Sequence, residues 1–273
     1  MPQVRTAEAP GDHRSGSALS EDVVLVLPNA VAVLDGATSL RPRARSGGWY
    51  AARLAEQLAE RLPDPALDLA ELLAASIAAV AREHGLRPGE SPSSTAALLR
   101  WSESEVDALV LADSPVVLFT AGGERPVLDT HLAQLRGSRG GFRDRLRSGA
   151  GFDAGHREAL GTAMSRTARW RNVEGGFWVA EAVPEAAFHA TRTRTPRREV
   201  RSALVASDGV SCGVQDYGIY ESWSAMLSEA QRCGPRAVLD RVRAAEESDP
   251  DGARWPRPKR HDDQALALVD FDA

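Results

Sequence analysis

The chain has 273 residues, of which 43% are hydrophobic, and it carries a formal net charge of −5 with a pI near 5.8. This length suffices for one large domain, and the acidic balance excludes a general electrostatic attraction to nucleic acid or anionic membranes. There is no apolar leader and no uncharged run long enough to cross a bilayer, and Cys212 and Cys233 have neither metal-site nor disulfide-framework spacing. We therefore expect a cytoplasmic protein with reduced thiols and no membrane partner.

The predicted elements alternate in type along the chain. Residues 1–16 are polar and are predicted to form a flexible arm ahead of a domain over 17–273. Apolar β-branched runs predict strands, and leucines at four-residue spacing predict helices. The predicted strands cover 22–28, 30–35, 94–101, 105–113, 115–129 (a hairpin turning at Gly122-Gly123), 175–182, 202–209 and 265–271; the predicted helices cover 47–62, 67–85 and 220–247, the last broken at Gly234-Pro235. This order favours an α+β fold, an αββα sandwich of two antiparallel sheets flanked by helix pairs.

Residues 130–172 differ from the rest of the chain because they are rich in Gly and Arg and have only a weak helical pattern. They are predicted to form an inserted loop or flap. Arginine clusters at 136–147 and 191–201 have two interpretations. Each is typical of a solvated loop or strand face, and each could also provide a rim that binds phosphate.

Several acidic residues stand at the ends of predicted strands. They are Asp35, Asp113 and Asp208, directly after strands, and Asp262-Asp263, directly before the last one. Because strand ends gather at the rim of a sheet, these carboxylates can converge, and their mutual repulsion favours a bound cation. Oxygen donors favour Mg²⁺ or Mn²⁺ over Zn²⁺. Each acid also has a purely structural interpretation as turn chemistry or as an edge charge.

In their order, six short motifs resemble those of the metal-dependent protein phosphatases (PPM, or protein phosphatase type 2C). The motifs are SED (20–22), VLDGA (33–37), SSTAALL (93–99), LADS (111–114), VASDGVS (205–211) and HDDQALALV (261–269). The resemblance extends from Glu21 to the last strand. It implies an αββα sandwich with a dinuclear metal site at one end of the sheets, in agreement with the layers predicted above.

The resemblance also implies roles for individual acids. Asp35 would bridge two metal ions, and Asp208 and Asp263 would complete the ligands of the first ion. If the motif is aligned one residue earlier, Asp262 would be the ligand in place of Asp263. Gln264 follows Asp263 where the family usually has Asn.

The second metal ion would be held by Glu21 and the backbone carbonyl of Gly36. Asp22 would orient water at the metals, so that Asp22, Asp35 and Asp208 are the candidate catalytic residues. Asp113, together with Asp208, corresponds to the ligands of a weaker third ion.

The implied activity is hydrolysis of phosphoserine and phosphothreonine in proteins by a monomeric enzyme that uses Mn²⁺ or Mg²⁺. Two divalent ions make a hydroxide available near neutral pH, so no protein nucleophile is required. Two alternatives remain open at this point. One is a catalytically impaired protein that keeps the phosphatase fold for regulation or as a scaffold, and the other is a phosphatase for a small phosphorylated metabolite.

Departures from the family pattern concern the groups that handle the substrate. Where many members have a phosphate-binding arginine this chain has Ser17, with Arg14 nearest, and Ala37-Thr38-Ser39 follows Asp-Gly in place of His or Gly-Gly. Candidate replacements for the arginine are Arg41, Arg43, Arg45 and the arginines of 136–147. His261 beside the acidic pair is a candidate acid or positioning residue, with a plain surface histidine as the alternative.

Overall fold

Two antiparallel five-stranded sheets form the centre of the computed structural model, which describes residues 2–12, 19–37, 45–136 and 141–271. The strands are β1 (Gln3–Ala9), β2 (Asp22–Leu27), β3 (Ala30–Asp35), β4 (Ala96–Trp101), β5 (Glu105–Leu111), β6 (Val116–Thr120), β7 (Gly123–Val127), β8 (Thr191–Pro196), β9 (Val200–Ala206) and β10 (Gln264–Asp270). The first sheet has the order β1-β10-β9-β6-β7 and the second has the order β2-β3-β4-β5-β8. The prediction of two antiparallel sheets is therefore confirmed.

Helices cover the outer face of each sheet. The helices of the described residues are α1 (Gly47–Arg61), α2 (Leu69–His84), α3 (His131–Arg136), α4 (Phe142–Arg147), α5 (Ala154–Thr167), α6 (Asp208–Gln215), α7 (Trp223–Cys233) and α8 (Pro235–Glu247). Leucines of α1 and α2 pack on the second sheet, and apolar residues of α7 and α8 pack on the first. A third cluster, which includes Val33 and Val205, fills the space between the sheets. The layers are those of an αββα sandwich, as predicted.

The sequence marks the ends of the first helix pair with typical capping residues. Ser46 Oγ accepts a hydrogen bond from the Trp49 amide at 3.1 Å, and Asp68 Oδ1 accepts one from the Ala70 amide at 2.9 Å. Gly85 ends α2 with a φ of 61°, a conformation that glycine adopts at low cost. None of the helices in the described part of the chain is both long and apolar enough to cross a lipid bilayer.

The N-terminal residues are more ordered than predicted. Gln3–Ala9 forms β1, which pairs antiparallel with β10 from Gln3 opposite Asp270 to Ala9 opposite Gln264. The Arg5 guanidinium also lies 3.0 Å from an Asp270 carboxylate oxygen. The prediction of a flexible arm over 1–16 is therefore wrong for β1, because backbone pairing with β10 holds this polar segment in place. Residues 13–18 lie outside the described residues.

Two further segments differ from the sequence prediction. Residues 191–196 form the edge strand β8, which pairs with β5 and presents alternate arginines to solvent. This agrees with the strand-face interpretation of the second arginine cluster. The strand predicted over 175–182 is wrong, because this segment makes only isolated bridges, Phe177 to Arg171 and Ala180 to Ser94. The side chains of Phe177 and Val179 are instead buried in a small cluster with Leu132.

The segment predicted as a flap contains the three helices α3, α4 and α5. A small cluster of its own, formed by Phe142, Leu146 and Leu160, joins α4 to α5. The His156 ring Nε2 lies 2.9 Å from the Pro258 carbonyl oxygen, which attaches the insert to the loop before β10. The insert is thus a packed helical unit, and its boundaries at 130 and 172 stay a prediction.

Candidate metal centre

Acidic residues of both sheets meet at one end of the sandwich. Asp22 at the start of β2 stands opposite Asp35 at the end of β3. Asp208, the first residue of α6 after β9 of the other sheet, lies close enough to Asp35 for its carboxyl group to lower the pKa of Asp35. Asp262 and Asp263 lie close enough to Asp22 for their charges to raise its pKa. The structure thus brings together acids that are far apart in sequence, as their positions at strand ends predicted.

Ser207 joins the two strands that carry Asp208 and Asp263. Its amide donates to the Ala265 carbonyl at 2.9 Å, and its hydroxyl oxygen accepts from the Ala265 amide at 2.9 Å. Gln264 Nε2 donates to the Gly209 carbonyl at 3.2 Å and so ties β10 to the start of α6. These bonds fix where Asp208, the first residue of α6, leaves the sheet.

Asp22 is a buried carboxyl group without a partner. Its side chain belongs to a residue that is only 4% exposed, and neither carboxylate oxygen has a hydrogen-bond partner among the described residues. Burial, followed by repulsion from Asp262 and Asp263, raises the pKa of Asp22 well above its usual value. The nearby Ser207 hydroxyl acts in the opposite direction on this pKa without reaching hydrogen-bonding geometry. An unpartnered buried acid of this kind favours a proton or a cation beside it.

Asp35 is subject to the same forces. Burial raises the pKa of Asp35 well above its usual value, and repulsion from Asp22 and Asp262 raises it further. Contact with Asp208 lowers that pKa without reversing the shift. The Asp35 backbone is held by Thr95, whose hydroxyl accepts from the Asp35 amide at 3.0 Å. The backbone of Asp35 is therefore held in place, and its side chain lies among other acids.

Gly36 lies where the backbone of α1 approaches most closely. A Cβ at this position would run into the backbone of Gly47 and Gly48 and would lie 2.7 Å from the Glu21 carbonyl oxygen. The Gly36 amide donates to that same carbonyl at 3.2 Å. The structure thus places Glu21 and Gly36 side by side at the start of α1, and packing alone already requires glycine at position 36.

Asp113 contributes to the acidic end of the sandwich from the second sheet. It follows β5, and its charge adds to the repulsion that raises the pKa of Asp35. The preceding Ala112 has a φ of 68°, which is uncommon for a residue with a Cβ. The Ala112 amide donates to Asp129 Oδ2 at 3.2 Å, and this bond supports the turn that presents Asp113.

A cleft of about 770 Å³ opens beside the acids, and Asp113 and Asp208 form part of its wall. Arg143 and Arg147 of α4 and Arg254 also line the cleft and form its basic wall, and two further acids line it as well. Arg143 and Arg147 belong to the arginines of 136–147 that the sequence indicated as candidates for binding phosphate. These two thus line the same cleft as the acids. A cleft lined by both carboxylates and guanidinium groups suits an anionic ligand held together with a cation.

Lys259 introduces a positive charge into the acidic end. Its Nζ lies 2.6 Å from Asp262 Oδ1, and that oxygen also accepts the Asp263 amide at 2.9 Å. Burial alone would lower the pKa of Lys259, but the carboxylates of Asp262, Asp263 and Asp35 outweigh it and raise this pKa. Asp263, only 3% exposed, accepts the Gly11 amide on its Oδ1 at 2.8 Å. Neither Lys259 nor Gly11 was expected at this site from the sequence, although Lys259 is the only lysine in the chain.

The donors at this end of the sandwich fit a hard divalent cation by their chemistry. They are carboxylate oxygens, and the two orphaned oxygens of Asp22 are the kind of atom that a bound cation and its water would satisfy. Over the ranges that the structure describes, no three His, Cys, Asp or Glu side chains are already arranged around one point to hold a metal ion. Binding would therefore require side-chain rotations, and on Asp262 a cation would compete with Lys259.

The remaining candidates either have other partners or fall outside the described residues. His261 is not a surface histidine, because its Nδ1 lies 3.1 Å from an oxygen of the buried Glu246. Arg45 is engaged elsewhere, since it donates to the His84 carbonyl at 2.9 Å and its guanidinium lies 4.4 Å from the Trp49 ring centroid. Outside the described residues are Arg14, Ser17, Thr38, Ser39, Arg41 and Arg43.

No family model matches the sequence, and no curated protein sequence matches it either. Solved structures match it over nearly their whole length. The serine/threonine phosphatase PstP/Ppp of Mycobacterium tuberculosis is 16% identical with a TM-score of 0.57, covering 100% of this chain and 99% of that one. The PstP catalytic domain in complex with two manganese ions is 17% identical with a TM-score of 0.57, covering 98% and 97%. Stp1 of Staphylococcus aureus is 13% identical with a TM-score of 0.56, covering 100% and 96%. The fold is therefore that of the bacterial serine/threonine phosphatases.

Proposed function

We propose that this chain, which has the fold of the bacterial PPM-type serine/threonine phosphatases, is a metal-dependent phosphatase acting on phosphoserine and phosphothreonine. The observation that carries the proposal is the buried acidic cluster at the end of the sandwich. Its unpartnered Asp22 and the raised pKa of Asp35 indicate a site that needs a cation. A structural role would not require so much like charge in one place, because repulsion between buried carboxylates lowers stability.

Mn²⁺ and Mg²⁺ are the ions that suit these donors, and a neighbour of the same fold contains two manganese ions. Asp35 would bridge two ions, with Asp208 and Asp263 on the first and with Glu21 and the Gly36 carbonyl on the second. Asp113 would join Asp208 in a weaker third site. Divalent ions in such a centre supply an activated water for attack on phosphorus and neutralise the phosphoryl oxygens.

The chain's own groups have separate tasks in this proposal. Asp22, whose two oxygens are unoccupied by hydrogen bonds within the described residues, would accept hydrogen bonds from water and orient it. Asp35 and Asp208, in contact across the two sheets, would hold their carboxylates in a fixed relation. Thr95 would hold the backbone of Asp35 to its neighbouring strand, and Ser207 would hold the backbone before Asp208 to β10.

Gly11 is expected to set the position of Asp263. A Cβ at residue 11 would lie 2.5 Å from the Asp262 carbonyl carbon and 2.7 Å from the Asp263 amide nitrogen, so Gly11→Ala must displace this backbone. We expect the variant to bind Mn²⁺ about tenfold more weakly, the usual effect of losing a group that orients a ligand. Titration calorimetry with MnCl₂ measures the change. Gly122→Ala is the matched control, because its Cβ would meet nothing closer than 3.7 Å; equal affinity in the two variants would contradict the role of Gly11.

The substrate phosphate would be bound by the basic wall of the cleft. Arg143 and Arg147 lie on α4, one helical turn apart, and face the same opening as Asp113 and Asp208. A guanidinium group can donate two parallel hydrogen bonds to phosphate oxygens, which suits the role left open by Ser17. Arg254 adds a third positive charge from the loop before β10.

Replacing Arg147 and Arg143 together with glutamine is expected to raise KM for a phosphopeptide by about tenfold, as charged hydrogen bonds to the substrate are lost. Hydrolysis of p-nitrophenyl phosphate and of a phosphothreonine peptide, each followed over substrate concentration, gives KM and kcat separately. Arg157→Gln is the control, because Arg157 is exposed on α5 of the same insert and does not line the cleft. If the control raises KM as much as the double variant, the phosphate is not bound by this wall.

The proposed activity is tested by phosphate release from the purified chain in MnCl₂ or MgCl₂ after removal of metals with EDTA. Hydrolysis of phosphoserine and phosphothreonine peptides that depends on the added metal is the expected result. Preference for small phosphorylated metabolites would instead identify a metabolite phosphatase. Binding of neither metal, with no hydrolysis of any substrate, would identify a protein that keeps the fold for regulation or as a scaffold.

A further inference from the structure

The one lysine of the chain lies in the acidic cluster. Lys259 Nζ is 2.6 Å from Asp262 Oδ1, and the two side chains are 20% and 28% exposed. The carboxylates of Asp263 and Asp35 also act on this ammonium group and favour its charged form. An ion pair so shielded from water is much stronger than one on the open surface.

The loop around Lys259 leaves it little freedom. Arg257, two residues earlier, donates to the Arg260 carbonyl from Nε at 2.9 Å and to the Asp249 carbonyl from Nη2 at 2.8 Å. On the other side, Arg243 donates to the Asp262 carbonyl at 2.9 Å. These bonds hold the backbone on both sides of the lysine.

We propose that Lys259 is a built-in counter-cation of the acidic cluster, which takes Asp262 out of the metal-binding set and weakens the binding of divalent ions. This inference rests on the proposed function, since it concerns the same metal centre. The fixed positive charge offsets part of the attraction that the carboxylates exert on a divalent ion. It also keeps Asp262 Oδ1 occupied, which leaves Asp263 as the ligand supplied by this pair. The site would then fill and empty as the concentration of free Mn²⁺ or Mg²⁺ changes, and would not retain its metal permanently.

The test is the affinity for Mn²⁺ of the full chain, measured by titration calorimetry after treatment with EDTA. Lys259→Gln is expected to bind Mn²⁺ at least about tenfold more tightly than wild type, because one nearby positive charge is gone. Lys259→Arg keeps the charge and should stay within about twofold. Arg236→Gln, which removes an exposed charge paired with Asp240, is the control for net charge and should also stay within about twofold.

A structural role alone predicts a different pattern. In EDTA, Lys259→Gln should lower the thermal midpoint, because Asp262 loses its partner, while its Mn²⁺ affinity rises. If Lys259 only supported the loop, Lys259→Gln would lower both the thermal midpoint and the affinity for Mn²⁺. Unchanged or weaker Mn²⁺ binding by Lys259→Gln would overturn the inference.

Chemical modification of the wild-type chain gives a second test that does not depend on the folding of a variant. Because Lys259 is the only lysine, amine acetylation neutralises this side chain and the N-terminal amine, whereas reductive methylation modifies the same two groups and keeps their charge. Only acetylation should tighten Mn²⁺ binding. Equal effects of the two treatments would contradict the inference.

The metal-binding and activity measurements together separate the two proposals. If Mn²⁺ binds and its affinity responds to Lys259 but no phosphate is released, only the proposed activity fails. If no form of the chain binds Mn²⁺, the proposed activity and the inference about Lys259 both fail.

Discussion

The Asp35→Asn variant is expected to lose about a thousandfold of the Mn²⁺-dependent hydrolysis and, without metal, to be more stable than wild type. The loss follows because Asp35 is the proposed bridge between two ions, and removing a central electrostatic group costs up to about a thousandfold in rate. The gain follows because Asp35 is half-buried among like charges, which raise its pKa. Relief of this repulsion should increase the free energy of unfolding by about 1–3 kcal/mol at pH 8, the scale of one unsatisfied buried polar group.

The direction in which the stability of the fold changes with pH follows from the direction of the pKa shifts. In the folded protein Asp22 and Asp35 have raised pKa values, so they hold protons at pH values where the unfolded chain, with a usual value of 3.8, has released them. The folded state then binds more protons than the unfolded state, and stability falls as pH rises from about 4 through the raised pKa values. Urea unfolding in EDTA between pH 5 and pH 8 should show this decline in wild type, and a smaller decline in Asp35→Asn.

An acid that forms ion pairs away from the cluster serves as the control, because its replacement should lower stability and not raise it. Asp107 lies on β5 and pairs with Arg100 at 3.2 Å and with Arg194 at 2.7 Å, so its carboxylate is stabilised by its neighbours. Asp107→Asn should lower stability and leave hydrolysis unchanged. If Asp35→Asn instead loses stability like the control, or keeps its activity, then the acidic cluster is not the site of the reaction.

The layers of the fold could be predicted because most strands have two buried faces. β4 and β6, for example, are buried along their entire length and read as continuous apolar runs. The edge strands β1 and β8 lack this signal, since one is QVRTAEA and the other TRTRTP, and both alternate polar residues with small ones. Their strand conformation comes from pairing with β10 and β5, which is tertiary information that no local pattern contains.

The acids of the site could be predicted for a related reason. Asp35 ends one strand and Asp208 follows another, and the ends of packed sheets must meet at a common rim. Lys259 and Gly11 could not be predicted in this way, because neither belongs to a periodic element. Lys259 reaches the acids from an irregular loop, and Gly11 comes from the N-terminal segment by way of β1. The signal that was available is compositional, a single lysine three positions before Asp262.

The second large effect is expected at Arg257, which organises the loop carrying Lys259, Asp262 and Asp263. Arg257 is 5% exposed, and all five of its N–H groups have acceptors within reach. The acceptors are Asp249 Oδ2 and the carbonyl oxygens of Glu246, Asp249, Trp255 and Arg260, at 2.8–3.1 Å. Arg257→Met would remove the cationic partner of the buried Asp249 carboxylate and one donor from each of four backbone carbonyls. We expect the free energy of unfolding in urea to fall by about 3–5 kcal/mol, as for other broken buried ion pairs.

Arg257→Lys separates the charge from the geometry of the guanidinium group. A lysine keeps the attraction to Asp249 but cannot reach acceptors in five directions, so this variant should lose nearly as much stability as Arg257→Met. Arg236→Met, at an exposed ion pair on α8, should lose less than about 1 kcal/mol. Because the Arg257 guanidinium also lies 5.2 Å from the Phe152 ring centroid of the insert, limited proteolysis should cut between α4 and α5 faster in Arg257→Met. Retention of full stability by Arg257→Lys would mean that the ion pair alone holds the loop, and the acids it carries would then depend on one contact instead of a network.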